Sequence, residues 1–488
     1  MRKYRQLLTL LFVFTLVTAT FVPVSAASSF SSTESLIKKY SKSYPKLSVY
    51  YRNLVTGETY TYQPTKVRQA ASTIKLPLVL YVYELAAKNK LNLNERLTYK
   101  KHHYYGGSGV IQNDRVGTTY TINDLVYKAI TYSDNIAFIM LRERVGKASF
   151  IKYAKSIGGK VVYPNGRNMT TAADLATYMN AVWNFSKKYP DLGNKLISML
   201  SHTVYKDTVA SSLKADQVAH KVGYIPANLV YNDVALVKDT QPYILVVTTE
   251  GIPVGKDVKV ISAIADAIHK NHTQRIYAKV ADSVRTAQLK NASLVKQILI
   301  EYNANVQIQP YAAYNEVKKS LQEAKKLVAT LPADKQSAYK RSLADIEVWI
   351  GRAANFIDAI SAGRKLDAGT NELRKYLQAG DIQNSIASYH SLSSLQKRQA
   401  VYLYKPYGKA TREAILSKYK GVSQVALEQG RLVVLISDLM NSLEEAVASG
   451  DKEKVDAYQQ EIEEILLKVQ EKVMRDHLGE WVQSVVEN

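Results

Sequence analysis

The chain has 488 residues, no cysteine, eight histidines and a net charge of +22. Without cysteine it has no disulfide, thiolate nucleophile or cysteine-ligated metal, so its fold must rest on apolar burial. The histidines lack H-E-x-x-H spacing, which leaves a zinc hydrolase unsupported, and no base-reading motif accompanies the scattered basic residues, which argues against a nucleic-acid partner.

The chain opens with a basic stretch, MRKYRQ, an apolar run, LLTLLFVFTLVTATFV, and the small residues Ser25, Ala26 and Ala27. This layout predicts a signal peptide over residues 1–26 and an exported protein, with an uncleaved N-terminal anchor as the alternative. Residues 47–62 alternate β-branched and tyrosine positions around a TGE turn, which predicts a hairpin. Residues 72–88 have helical length and apolar periodicity. Residues 120–145 continue a helical pattern, with Thr121 and Asp124 as a capping box and Gly146 as a stop. MTTAADLATYMNAVWNF predicts a helix capped by Thr170 or Thr171. Three strands follow, QVAHKVGYI, VYNDVALVK and PYILVVTTEG, and the helix DVKVISAIADAIHKNH closes this part. Strands at both ends with helices between them predict an α+β domain over residues 27–274.

From residue 275 to 488 strand signals nearly vanish and amphipathic helices continue, which predicts an all-helical accessory region. Gly380-Asp381 and Gly450-Asp451 each suit a helix ending on glycine followed by one capped by aspartate. Residues 27–274 carry 32 Lys+Arg against 17 Asp+Glu, residues 275–440 carry 25 against 14, and the last 48 carry 5 against 12. A basic body is drawn to polyanions, and for an exported protein the candidates are anionic wall polymers or lipid headgroups. In the helical region tyrosines and basic residues recur together, as in YKPYGKATREAILSKYK, and a plain spacer or dimerising bundle is the alternative reading.

The chemistry gathers in three places. Ser72 and Lys75 stand three apart, Ser133, Asp134 and Asn135 follow in TYSDNIAF, and Lys221 and Gly223 lie on a predicted strand in AHKVGYI. S-x-x-K, S-D-N and K-T-G form the set carried by class A β-lactamases and penicillin-binding proteins. Residues 30–270 thus resemble that family of serine hydrolases. The resemblance implies a β-lactamase-like fold, an antiparallel sheet with a helical subdomain, followed here by the all-α helical bundle. It implies no cofactor or metal.

A serine hydroxyl needs a base. Residues three apart on a helix share a face, so Lys75 can reach Ser72, and burial beside Lys221 favours a neutral Lys75. The resemblance implies that Ser133 relays the proton to the leaving nitrogen, Asn135 holds an acyl-side-chain amide, and Lys221 attracts a substrate carboxylate. Gly223 lets substrate lie on the strand edge, and the N–H groups of Ser72 and Tyr224 form the oxyanion hole. Asp134 reads as a loop-shaping residue, His220 as a packed strand residue, and Asp174 as a helix-start acid.

Two departures stand out: Val222 replaces the hydroxyl of K-T-G, and no glutamate occurs between Arg144 and Gln217 to activate a deacylating water. The expected activity is an acyl-enzyme on Ser72 with β-lactams or D-alanyl wall peptides and weak β-lactam hydrolysis. The alternatives are a β-lactamase with atypical deacylation and a non-catalytic wall-binding protein.

Overall fold

The computed structural model of the chain describes residues 30–487, so the expected signal peptide lies outside the described residues. The chain divides into two compact units, the first ending at Lys279 and the second beginning at Val280.

In chain order the first unit comprises α1 (Ser31–Ser43), β1 (Ser48–Asn53), β2 (Thr59–Tyr62), β3 (Arg68–Gln69) and α2 (Lys75–Ala87), then β4 (Arg96–Thr98), β5 (Thr119–Thr121), α3 (Ile122–Thr131), α4 (Asn135–Val145) and α5 (Lys147–Ser156). It continues with β6 (Met169–Thr170), α6 (Ala172–Lys188), α7 (Pro190–Ser201), β7 (Val218–Ile225), β8 (Val230–Val237) and β9 (Tyr243–Glu250). Five strands form an antiparallel sheet in the order β2-β1-β9-β8-β7, so segments from both ends of the domain meet at β1 and β9. Every residue of β8 is buried, as expected of a central strand covered on both faces.

One face packs Ile37 of α1 and the α8 (Lys256–Ile298) residues Ile261, Ile264 and Ile268 over Val49, Val218, Val222 and Val247. The other carries Ala219, Val234, Leu236 and Val246 against the helical subdomain, with α2 at its centre. Along α2, KLPLVLYVYELAA, eight of thirteen residues are buried, and a helix buried over most of its surface is apolar on most of its faces.

Two helix boundaries differ from expectation. The 120–145 pattern is broken between α3 and α4 at Ser133, whose φ is +52°; Asp134 caps α4 by accepting the Ala137 N–H. Helix α8 is the last element of the first unit, but it runs for 43 residues, past the expected end at His272, because its apolar pattern continues through Ile276, Val280 and Val284.

Beyond Val280 the described residues are helical apart from short turns. After α8 come α9 (Tyr311–Val328), α10 (Ala333–Ala379), α11 (Ile382–Leu403), α12 (Lys409–Ile415), α13 (Val422–Ser449), α14 (Lys452–Leu466) and α15 (Lys472–Val486). A π-helical turn, Leu416–Gly421, joins α12 to α13. Gly380 and Gly450 both have φ +70°, and Asp381 and Asp451 then cap α11 and α14 by accepting the N–H groups of Asn384 and Lys454. The two corners share one device: a left-handed C-terminal glycine and an aspartate that starts the next helix.

Candidate active site

Ser72 lies in a 3-10 turn, Ala71–Ile74, just before α2. Residues three apart eclipse in a 3-10 turn, a tighter alignment than the expected α-helix provides. Lys75 Nζ is 2.9 Å from Ser72 Oγ. The segment before the turn is pinned from several sides. Asn232 on β8 donates to the Gln69 carbonyl at 2.8 Å, Asn168 donates to the Ala71 carbonyl at 2.9 Å, and the Ala70 N–H donates to the Asn168 carbonyl at 3.0 Å. This bracing supports Ala71 at φ +51°, a conformation that costs a non-glycine residue of order 1–3 kcal/mol.

A Cβ added to Gly223 on β7 would meet the Ala70 carbonyl at 2.7 Å and the Thr73 N at 3.0 Å. Its bare face therefore turns toward the Ser72 segment. The structural need for glycine is close packing of β7 on the Ser72 turn, a reason different from the substrate contact expected from the sequence.

Ser133 reaches the same point from the break between α3 and α4. Lys75 Nζ donates to the Ser133 carbonyl at 2.6 Å and to Asn135 Oδ1 at 2.8 Å, and lies 3.3 Å from Ser133 Oγ. Lys221 Nζ donates to Ser133 Oγ at 2.9 Å and to the Val222 carbonyl at 2.8 Å. Ser133 Oγ is thus within hydrogen-bond reach of two lysines brought from α2 and β7. Lys221 has no exposed surface and lies as a buried amine beneath Ser133. Asn135 donates to the Gly106 carbonyl at 3.0 Å, which leaves one of its amide N–H groups for another acceptor. Asp134 accepts the N–H groups of Val110 and Ile111 at 2.7 and 2.8 Å and so ties down the loop before it.

Burial, reinforced by Lys221 and opposed by Asp134, holds the Lys75 ammonium well below its ordinary range. Burial also lowers Lys221 to about 7, against a raising influence from Asp233. Two buried cations around one hydroxyl cannot both keep their protons cheaply.

Val222, 3% exposed, packs in the cluster with α1 and α8. Tyr224 is exposed, and its ring packs at a tilt against Tyr231, 4.7 Å between centres. Strand β7 is the last of its sheet, so alternate backbone groups on its outer edge, beside Ser72, have no strand partner. His220 is fully buried and bonds Asp233, whose carboxylate also accepts Thr208 Oγ1 at 2.6 Å.

Asp174 is the third residue of α6, which Thr171 caps. Its carboxylate accepts the N–H groups of Lys160 and Val161 at 2.9 and 2.8 Å and is 2% exposed. It pins the 157–171 loop and is spent on backbone. Three residues that brace the site were not singled out from the sequence: Asn168, Asn232 and Asp233. The signal available was the Asn232-Asp233 pair inside an otherwise apolar strand.

Among the described residues, His102, His103 and Glu143 have ligand atoms within 4.8 Å of one another, as a metal site would require. His103 Nδ1, however, accepts the Lys100 N–H at 3.0 Å. Its Nε2 therefore carries the proton donated to Glu143 at 3.0 Å, and ligation there would cost the backbone bond.

Residues 32–272 match the profile described as the beta-lactamase enzyme family, and residues 295–424 match the SbsC C-terminal domain. Solved structures similar to the chain include PBP-A, at 23% identity and TM-score 0.46 over 50% of this chain and 96% of that one. A PBP-A mutant described as an acyl-enzyme complex with penicillin G is 23% identical, with TM-score 0.47 over 50% and 97%. A β-lactamase from Sphaerobacter thermophilus is 22% identical, with TM-score 0.45 over 49% and 96%. An S-layer protein of Geobacillus stearothermophilus is 29% identical over 169 residues, 33% of this chain but 14% of that protein. The first unit, which the family match spans over residues 32–272, is thus a β-lactamase-like α+β domain.

Proposed function

We propose that this chain is an exported serine hydrolase that forms an acyl-enzyme on Ser72 with β-lactams or the D-alanyl ends of cell-wall peptides. The observation that carries the reading is Lys75 Nζ at 2.9 Å from Ser72 Oγ, with burial and Lys221 favouring the neutral amine. A neutral lysine has two N–H donors and one lone pair. Spent on the Ser133 carbonyl and Asn135 Oδ1, the donors leave the lone pair for the Ser72 hydroxyl proton.

In the first step Ser72 Oγ bonds to the carbonyl carbon as its proton passes to Lys75. The tetrahedral oxyanion is held by the N–H groups of Ser72 and Tyr224. When the C–N bond breaks, Ser133 delivers a proton to the leaving nitrogen and is reprotonated from Lys75, 3.3 Å away. Lys221 supplies positive charge for the substrate carboxylate, while Gly223 keeps β7 close to the Ser72 turn. No glutamate stands between Arg144 and Gln217, and Asp174 is engaged by two backbone N–H groups. The acyl-enzyme with β-lactams should therefore be long-lived, as in a DD-peptidase-like protein. The test is labelling with a fluorescent penicillin followed by mass spectrometry. One adduct on the Ser72 peptide supports the reading; an adduct elsewhere, or one undiminished in Ser72→Ala, refutes it.

A second reading concerns the helical unit, which retains the protein at the cell surface by binding anionic wall polymers. Its support is the match to the SbsC C-terminal domain and the excess of basic residues over 275–440. Retention of the full chain on wall preparations should fall steeply with added salt, and salt-independent retention would reject it.

A further inference from the structure

Arg352 on α10 is half-buried, and its guanidinium carbon lies 3.5 Å from the Tyr407 ring centre and 4.4 Å from that of Trp349. The two rings meet nearly at right angles, at 82°, so Arg352 is held in the corner between them. Among the described residues no carboxylate, carbonyl or hydroxyl accepts a hydrogen bond from it, and no acid pairs with it. A guanidinium has a flat face that stacks and an edge of N–H donors that binds oxyanions. Here one ring takes the face, the other lies across it, and the N–H groups have no oxygen acceptor among the described residues.

The same short corner, residues 404–408 between α11 and α12, gathers two more cations. Lys420, from the π-helical turn, donates to Tyr404 Oη at 2.9 Å and stands over that ring. Arg412 of α12 donates to the Pro406 carbonyl at 3.3 Å. Tyr404 and Tyr407 are each nearly half exposed, at 49% and 46%. Two acids adjoin the corner: Glu301, near Gly408 and 3.5 Å from Thr411 Oγ1, and Glu413, paired with Lys409 at 3.7 Å.

We infer that Arg352, set against Tyr407 and Trp349, is an oxyanion receptor that takes a phosphate or carboxylate group displayed on a polymer. Stacking removes much of the rotamer freedom that an exposed arginine loses on binding. A bidentate N–H edge is stronger and more directional than a point charge. Lys420 and Arg412 add positive potential, and the open Tyr404 face offers apolar contact to the polymer backbone. The inference rests on the reading that the helical unit retains the protein on anionic wall polymers, and it assigns that retention to a built site rather than to diffuse charge.

The experiment uses the full chain on three immobilised polymers: poly(glycerol phosphate), polygalacturonate and neutral dextran. Wild type should be retained by one or both anionic polymers and not by dextran, and the preferred arm identifies phosphate or carboxylate as the ligand. Arg352→Lys keeps the charge but loses the planar fork, and should weaken binding about tenfold with circular dichroism unchanged. Arg352→Gln should weaken it at least as much. Wild type and Arg352→Lys binding alike while salt still releases both would overturn the receptor and leave retention by diffuse charge standing. Wild type ignoring both anionic polymers would overturn the retention reading and the receptor with it.

Discussion

The two units bury different things. In the first, Lys75, Lys221, Asp134, Asp174, Asp233, His220 and His272 are all buried, whereas the buried polar side chains described after Val280 are serines and threonines. Backbone follows the same division: of the described non-glycine residues with positive φ, all but Asn303 precede Val280, and they include Ala71 and Ser133. A buried charge costs several kcal/mol unless paired, and a strained φ costs of order 1–3 kcal/mol. On the proposed reading, Lys75, Lys221, Ala71 and Ser133 are kept at that cost because the Ser72 site uses them. The helical unit is built from apolar stripes and capped corners, so any binding it performs belongs on its surface.

The hardest blow to this contrast would come from the lysine. Lys75→Ala should lower the rate of acylation by a β-lactam about 10²–10⁴-fold, the scale of a positioned general base. A stopped-flow trace unchanged by the substitution would mean that the buried lysine is structural, and the first unit would then differ from the second only in architecture.

Deacylation has a similar scale. With no glutamate between Arg144 and Gln217 and Asp174 engaged by backbone, nitrocefin should give a stoichiometric burst and then turnover about 10²–10⁴-fold slower than acylation. Asp174→Asn should lower Tm, because the residue holds Lys160 and Val161, while leaving slow turnover within a few-fold. Sustained fast hydrolysis that Asp174→Asn abolishes would make this chain a working β-lactamase.

Gly223→Ala sharpens the comparison by testing packing instead of chemistry. The new methyl meets the Ala70 carbonyl at 2.7 Å, so either β7 or the Ser72 turn must move. A displacement of that kind costs about 10²-fold in acylation, and overpacking costs about 1–3 kcal/mol in denaturant melts. Acylation at the wild-type rate would show that the turn tolerates the shift.

Acidity should act on the first unit through His272. Burial, with His269 adding to it against Asp239, lowers this imidazole from 6.5 to about 4. Its Nδ1 is 2.8 Å from the Tyr51 hydroxyl. Between those two values the unfolded chain binds a proton that the folded domain resists, so stability falls as pH drops from 6.5 to 4. The loss is about 3 kcal/mol at 1.36 kcal/mol per unit. Melts of His272→Asn should lack this component. In the alkaline direction Lys221, at about 7, loses its proton, so KM for a carboxylate-bearing substrate should rise above pH 7.

The smallest effects belong to the helical corners. Asp381→Ala and Asp451→Ala each remove one cap hydrogen bond at an exposed site and should lower the helical unit's melting point slightly, with acylation untouched. A change in acylation would contradict the separation of roles between the units.

Where an interaction is local, it could be read along the chain. Ser72 and Lys75 meet because one turn of helix separates them, Thr121 and Asp124 cap a helix three residues apart, and the two Gly-Asp corners are set by their own φ and side chains. The motif pattern likewise identified the fold of the first unit. Tertiary structure decided the rest. Helical periodicity ran straight through Ser133, because apolar residues on both sides share one core, and only packing of the 106–111 loop onto Asp134 and Asn135 breaks the helix there. Lys221 comes to Ser133 from a strand 88 residues away. Gly223 and Asn232 are shaped by the turn they press on, at separations where no periodicity carries information. Local geometry follows from backbone dihedrals and near neighbours, whereas a site assembled from α2, the α3–α4 break and β7 exists only once the core that holds them has formed.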